Sequence, residues 1–156
     1  MVTSDVMAVP GFLFFDHVAV SVAPGELEAH LEVYKALGFT EVHREDVLGG
    51  DQVREVLLQV GNGPNLVQLL EPLTPDSPIS KQLERNGGRG GLAHVALRVD
   101  NIHSAFDYMR ANGFKVIDPA PRKGSRGTTV FFVHPKTTDS ASFGYLLEIV
   151  QEGSHA

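Results

Sequence analysis

The feature that most constrains how this chain folds is that it repeats itself. Asp16-His17-Val18-Ala19-Val20 is answered by Ala93-His94-Val95-Ala96-Leu97, and Ala36-Leu37-Gly38-Phe39 by Ala111-Asn112-Gly113-Phe114. The offset is 77 residues from His17 to His94 and 75 from Gly38 to Gly113, so two related halves differ by one small length change. Self-similarity at a period this long points to a duplicated module rather than a solenoid array.

Each half reads as a strand, a helix and then a run of strands. From His17 to Val22 the residues alternate, with Val18, Val20 and Val22 on one face and His17, Ala19 and Ser21 on the other. A helix is expected from about Glu26 to Leu37, entered after Pro24-Gly25 and stopped by Gly38 at the C′ position. Its counterpart runs from about Asn101 to Asn112, with Asp100 as the expected N-cap and Gly113 as the stop. Further strands are expected at Thr40 to Arg44, Val53 to Val60 and Leu66 to Leu70, then at Lys115 to Ile117, Thr129 to Val133 and Tyr145 to Val150. The plan is βαβββ twice, an α+β fold, with modules over residues 14–75 and 92–151 of one structural domain. Residues 76–91 join them through a short helix, with Ser77 as N-cap and Pro78 at its first position, and a glycine-rich hinge from Gly87 to Gly91.

Composition narrows the function. A length of 156 residues, 42% of them hydrophobic and 21% charged, fits a globular chain with a sizeable core. A net charge of -6 argues against nucleic acid as the main partner, since a phosphate backbone calls for a clustered basic face. With no cysteine there is no disulfide framework, thiolate metal site or cysteine nucleophile, so any metal is held by imidazole and oxygen. The apolar stretch from Val9 to Phe15 is broken by Pro10 and Gly11, and reads as neither signal peptide nor membrane span. A cytoplasmic protein without a membrane partner is expected.

Four polar residues occupy equivalent places in the two halves. His17 and His94 sit on the less aliphatic face of matching strands. Gln68 interrupts Leu66-Val67-Gln68-Leu69-Leu70 as Glu148 interrupts Leu146-Leu147-Glu148-Ile149-Val150. One amide or carboxylate in such a run is costly unless paired or coordinated. A single strand histidine or glutamine ordinarily serves packing through a hydrogen bond, and a shared ancestral packing role would also produce the recurrence. The sharper reading is a ligand set of two imidazoles, one amide oxygen and one carboxylate, suited to a divalent cation with positions left for substrate oxygens. Glu55, in Val53-Arg54-Glu55-Val56-Leu57-Leu58, is either an edge-strand charge partnered by Arg54 or water, or a general base whose pKa desolvation would raise.

Four stretches resemble one family. Phe15-Asp16-His17-Val18-Ala19-Val20, Leu69-Leu70-Glu71-Pro72-Leu73 with Asp76-Ser77-Pro78-Ile79, Gly91-Leu92-Ala93-His94-Val95-Ala96 and Val133-His134-Pro135-Lys136 are similar to segments of the methylmalonyl-CoA epimerases, of the vicinal oxygen chelate (glyoxalase) superfamily. The likeness runs from about Phe14 to Gln151. The histidine-initiated strands belong to the whole superfamily, and the Glu-Pro-Leu, Asp-Ser-Pro-Ile and His-Pro-Lys stretches are more specific. The resemblance implies two βαβββ modules forming an open, cup-shaped barrel around a divalent ion such as cobalt, manganese or nickel. It maps the ligands onto His17, Gln68, His94 and Glu148, and the catalytic carboxylates onto Glu55 and Glu148. It also implies a homodimer acting on an acyl-CoA.

That chemistry would suit the residues. Removing the proton between a thioester and a carboxylate builds negative charge beside an existing one, which a chelated cation offsets while fixing a planar enolate. Inversion then calls for acid/base groups on opposite faces. Arg122, Lys123, Arg126 and Lys136 offer phosphate contacts to CoA, or form an ordinary solvated basic loop. The loop from Thr137 to Gly144 is longer than the family's usual turn. Rival readings are a glyoxalase I-like lyase, whose family usually has a carboxylate where Gln68 stands, an extradiol dioxygenase, and a non-catalytic small-molecule-binding relative.

Overall fold

The glycine-phenylalanine pairs that mark the repeat end the two long helices by the same hydrogen bonds. A computed structural model describes residues 8–136 and 142–153, and the expected long loop falls outside the described residues at positions 137–141. Helix α1, Leu27–Ala36, closes with Gly38 N–H donating to Lys35 O at 2.9 Å and Phe39 N–H to Tyr34 O at 3.1 Å. Helix α3, Ile102–Ala111, closes with Phe114 N–H donating to Met109 O at 3.1 Å. Gly38 and Gly113 have φ of 100° and 83°, where a side chain is strained, so both helices stop in the Schellman manner. The phenylalanine after each glycine packs back on its helix: the Phe39 and Tyr34 rings lie 5.3 Å apart, and Phe114 joins the cluster containing Met109.

The remaining elements are β1 (Phe12–Ser21), β2 (Thr40–Val47), β3 (Val53–Gln59), β4 (Leu66–Pro72), α2 (Pro78–Arg85), β5 (Gly91–Val99), β6 (Arg122–Lys123), β7 (Thr129–Val133) and β8 (Leu146–Gln151). The order βαβββ occurs as β1-α1-β2-β3-β4 and again as β5-α3-β6-β7-β8, as the repeat predicts. Besides strand ends that move, with β1 starting at Phe12 rather than His17 and β2 running to Val47 rather than Arg44, two details differ from expectation. The expected strand from Lys115 to Ile117 is only an isolated bridge between Val116 and Val133, and the short β6 takes its place in the order. The N-cap of α3 is Asn101, not Asp100: the Asn101 side chain accepts from Ser104 N–H at 3.1 Å, and Asp100 N–H instead donates to Gly11 O. Both residue types suit a cap, and the backbone bond at Asp100 decides between them.

The chain forms two compact units, residues 16–95 and residues 1–15 with 96–156, and β1 and β5 each run from one into the other. In the first unit β2 and β3 are antiparallel, as are β3 and β4, while β4 runs parallel to β1 with Ala19 beside Gln68. Val22, Leu27, Leu31, Val56, Leu58 and Leu69 pack α1 on one sheet face. Ala19, Val53, Leu70 and Ala93 are buried together in a separate cluster. In the second unit β6, β7 and β8 pair antiparallel, and α3 packs through Ile102, Ala105, Phe106 and Met109 on Phe131, Val133, Leu147 and Ile149.

The stretches that carry the family resemblance have clear structural work. Glu71, at the end of β4, accepts from Gly25 N–H at 2.7 Å and so fixes the turn that opens α1. Ser77, fully buried, accepts from Ile79 N–H as the cap of α2 and donates to Asp51 O at 2.8 Å, tying the helix to the turn before β3. Pro78 at the first helical position has no N–H to leave unsatisfied. Ser77→Ala loses both bonds, and we expect a loss of about 1–2 kcal/mol of stability, read by denaturant unfolding. A variant as stable as the parent would show that the cap is dispensable.

Candidate active site

Within the unit of residues 16–95, strand geometry gathers four of the five site residues on one sheet face. His17 and Ala19 share a face of β1, Ala19 is the register partner of Gln68 on β4, and Gln68 is the partner of Leu57, two residues from Glu55 on β3. His94, on β5, completes the group. All four are buried: His17 to 3%, His94 to 6%, Gln68 to 7% and Glu55 to 1% exposure.

The two imidazoles meet at their Nε2 atoms, 3.1 Å apart, with the rings inclined at 72°. His17 Nδ1–H donates to Asp16 Oδ2 at 2.7 Å, and Asp16 is itself fully buried. That bond fixes the tautomer of a neutral His17, so its Nε2 carries a lone pair. Two nitrogens each about 2.0–2.3 Å from one ion, at a right angle, would stand about 2.8–3.3 Å apart. The observed spacing therefore fits adjacent ligands of one cation.

Gln68 is oriented by Glu55. A carboxylate only accepts, so Gln68 Nε2 donates to Glu55 Oε1 and the amide oxygen is turned away from it. That oxygen is buried and has no hydrogen-bond partner among the described residues. An orphaned amide oxygen in a buried site is costly, and coordination to a cation would offset the cost. The bare imidazole nitrogen and this oxygen together form a donor set that fits a divalent ion.

Glu148 lies in the other unit, on β8, beside Phe132 of β7 and between the buried Leu147 and Ile149. It is 8% exposed, the polar interruption that the strand pattern indicates. In the same unit Arg122 donates to Asp118 at 3.0 Å and its guanidinium lies over the Phe132 ring, so this cation has partners within the protein. Arg126 sits in a 3-10 turn with φ of 56°.

The surroundings of Glu55 separate its two sequence readings. Arg54 points to the opposite face of β3 and forms two bonds with Asp46, at 2.8 and 3.1 Å. That contact, chiefly its hydrogen bond, lowers the Asp46 pKa and raises that of Arg54. Arg44, on the same side of β2, bonds Glu41 and Glu28, and its hydrogen bond lowers the Glu41 pKa. On the other face His43 and Glu45 approach Glu55: His43 Nε2 is 2.8 Å from Glu45 Oε1 and 3.9 Å from Glu55 Oε2. Asp16, His43 and Glu45 escape a reading of the sequence alone. Strict alternation puts Asp16 on the face opposite His17, and the two β2 residues reach Glu55 only through strand pairing. The one local signal is the His43-x-Glu45 spacing, which puts both side chains on one strand face.

Comparison with known proteins gives the family. Residues 16–132 match the model of the glyoxalase/bleomycin resistance protein/dioxygenase superfamily, to which the chain therefore belongs. Within it, the chain is 32% identical over 142 residues to the mitochondrial methylmalonyl-CoA epimerase of Dictyostelium discoideum, covering 85% of this chain and 76% of that protein. The methylmalonyl-CoA epimerase structure from Mycobacterium tuberculosis superposes with a TM-score of 0.82 at 30% identity, over 96% of this chain and 95% of that one. A Streptomyces coelicolor methylmalonyl-CoA epimerase variant in complex with 2-nitronate-propionyl-CoA gives 0.79 at 31% identity, over 92% and 99%. The chain belongs to the methylmalonyl-CoA epimerase family and has the glyoxalase fold.

Proposed function

We propose that this protein interconverts the (2R) and (2S) forms of methylmalonyl-CoA by proton transfer between two carboxylates, Glu55 and Glu148. In this reading His17, Gln68, His94 and Glu148 hold a divalent cation, and the paired modules over residues 14–75 and 92–151 present it. The observation that carries the reading is Glu55: a carboxylate buried to 1% exposure, bonded to Gln68 and sharing a sheet face with the two histidines. Likeness to enzymes that act on methylmalonyl-CoA supplies the substrate.

The chemistry supplied by a bound cation is positive charge beside the thioester and carboxylate oxygens, where negative charge grows as the α-proton leaves. The remaining work belongs to side chains. Asp16 keeps the His17 Nε2 lone pair directed into the site. Gln68 gives its N–H to Glu55 and keeps its oxygen for the cation. Glu55 takes the α-proton on one face, and Glu148 delivers one from the other through the carboxylate oxygen not needed as a ligand. The cytoplasmic location expected from the sequence and the homodimer implied by the resemblance belong to the same reading, and no helix among the described residues is long and apolar enough to cross a membrane.

Metal supply tests this account. Chelation should abolish epimerisation of methylmalonyl-CoA, and cobalt, manganese or nickel should restore it better than calcium, because two imidazoles favour transition metals. Full activity in the chelated, metal-free protein would contradict the reading.

A further inference from the structure

A buried base must release the proton it takes before it can act again. Glu55 is 1% exposed, yet across the β2–β3 ladder its register partner is Glu45, whose side chain is 36% exposed. Two carboxylates directly opposite one another repel unless something lies between them. His43 fills that role. The ladder register shifts between Glu41 and His43, and this irregularity sets His43 and Glu45 together on the face that meets Glu55. The imidazole, 33% exposed, sets its Nε2 2.8 Å from Glu45 and 3.9 Å from Glu55.

We infer that His43 and Glu45 form the path by which Glu55 exchanges its captured proton with solvent. With the ring's own proton on Nδ1, the His43 Nε2 lone pair takes the proton from the Glu55 carboxyl group, the ring passes it from Nε2 to Glu45, and Glu45 releases it to water. One proton moves outward, and His43 ends as it began. The 3.9 Å gap exceeds the hydrogen-bond range of about 2.7–3.2 Å, so the partly exposed ring swings from one carboxylate to the other during the transfer. His43 and Glu45 are positioning residues here, acting through Glu55, and the inference rests on Glu55 being the base proposed above.

The test follows each stereoisomer of methylmalonyl-CoA in deuterated water with the cobalt-loaded protein. Mass spectrometry reads deuterium in the recovered starting isomer, and this is compared with the rate of epimer formation. The isomer served by Glu55 is the one whose exchange disappears in Glu55→Gln. For that isomer, His43→Ala and Glu45→Gln should each lower the ratio of exchange to epimerisation, by up to about 10²-fold, the low end of what a positioned proton-transfer group contributes. The ratio for the other isomer should stay as in the parent, and added imidazole should restore exchange in His43→Ala. A parent-like ratio in both variants, or an equal fall for both isomers, overturns the path but leaves Glu55 as base. Normal epimerisation in Glu55→Gln overturns both.

Discussion

Glu55→Gln should lower epimerisation by about 10²–10⁴-fold, the usual contribution of a positioned general base. The substitution keeps size and shape, and an amide oxygen at position 55 can still accept the Gln68 N–H that orients the neighbouring ligand. Metal content should therefore survive while proton removal on one face is lost. Because Glu148 would still work from its own side, exchange of the α-proton in deuterated water should persist for one stereoisomer and vanish for the other. Near-parental epimerisation would return Glu55 to a structural carboxylate, and loss of metal together with activity would make it a support of the ligand set.

His94→Ala should remove metal retention and, with it, epimerisation. Even the loss of an outer partner of a ligand typically costs 10–100-fold in metal affinity or activity, so loss of a ligand should cost more than about 10²-fold in affinity. Asp16→Asn should fall within that 10–100-fold range, because the Nδ1 contact that orients His17 is weakened while the ring remains. Metal analysis after gel filtration reads both variants, and circular dichroism checks the fold. The His94 ring meets the polar His17 ring, with their Nε2 atoms 3.1 Å apart, so the fold of His94→Ala should persist. Unfolding of that variant, rather than metal loss from a folded one, would make His94 a packing residue.

How much of this was legible in advance depends on the range of the forces involved. The helices were readable because their ends are local chemistry: Gly38-Phe39 and Gly113-Phe114 carry the positive φ and the apolar contact that a stop requires, and Ser77-Pro78 carries a start. Thr129 to Val133 is a run of β-branched and aromatic residues and is a strand over those same residues. Lys115 to Ile117 has the same local look but makes only a bridge at Val116, because pairing depends on a partner that the segment does not specify. In the candidate site, the recurrence of His17 as His94 and of Gln68 as Glu148 stood out because duplication displays one position twice. The roles of Asp16, His43 and Glu45 have no such copy. Asp16 turns to its neighbour's ring against the strand alternation, and the β2 pair reaches Glu55 through a register shift that no run of residues announces. Two of the motifs more specific to the family, around Glu71 and Ser77, hold a turn and a helix start.

If a metal held by this chain's histidines serves stereochemical inversion of an acyl-CoA, one incubation will show it. The protein is mixed with a single stereoisomer of 2-methylmalonyl-CoA in deuterated water, with and without a chelator, and both the stereochemistry and the deuterium content of the thioester are followed. Rapid epimerisation with deuterium at the α-carbon is expected in the metal-loaded protein, and neither in the chelated one. Epimerisation that continues undiminished in the chelator, or a metal-loaded protein that leaves the α-proton in place, would contradict that role for the metal.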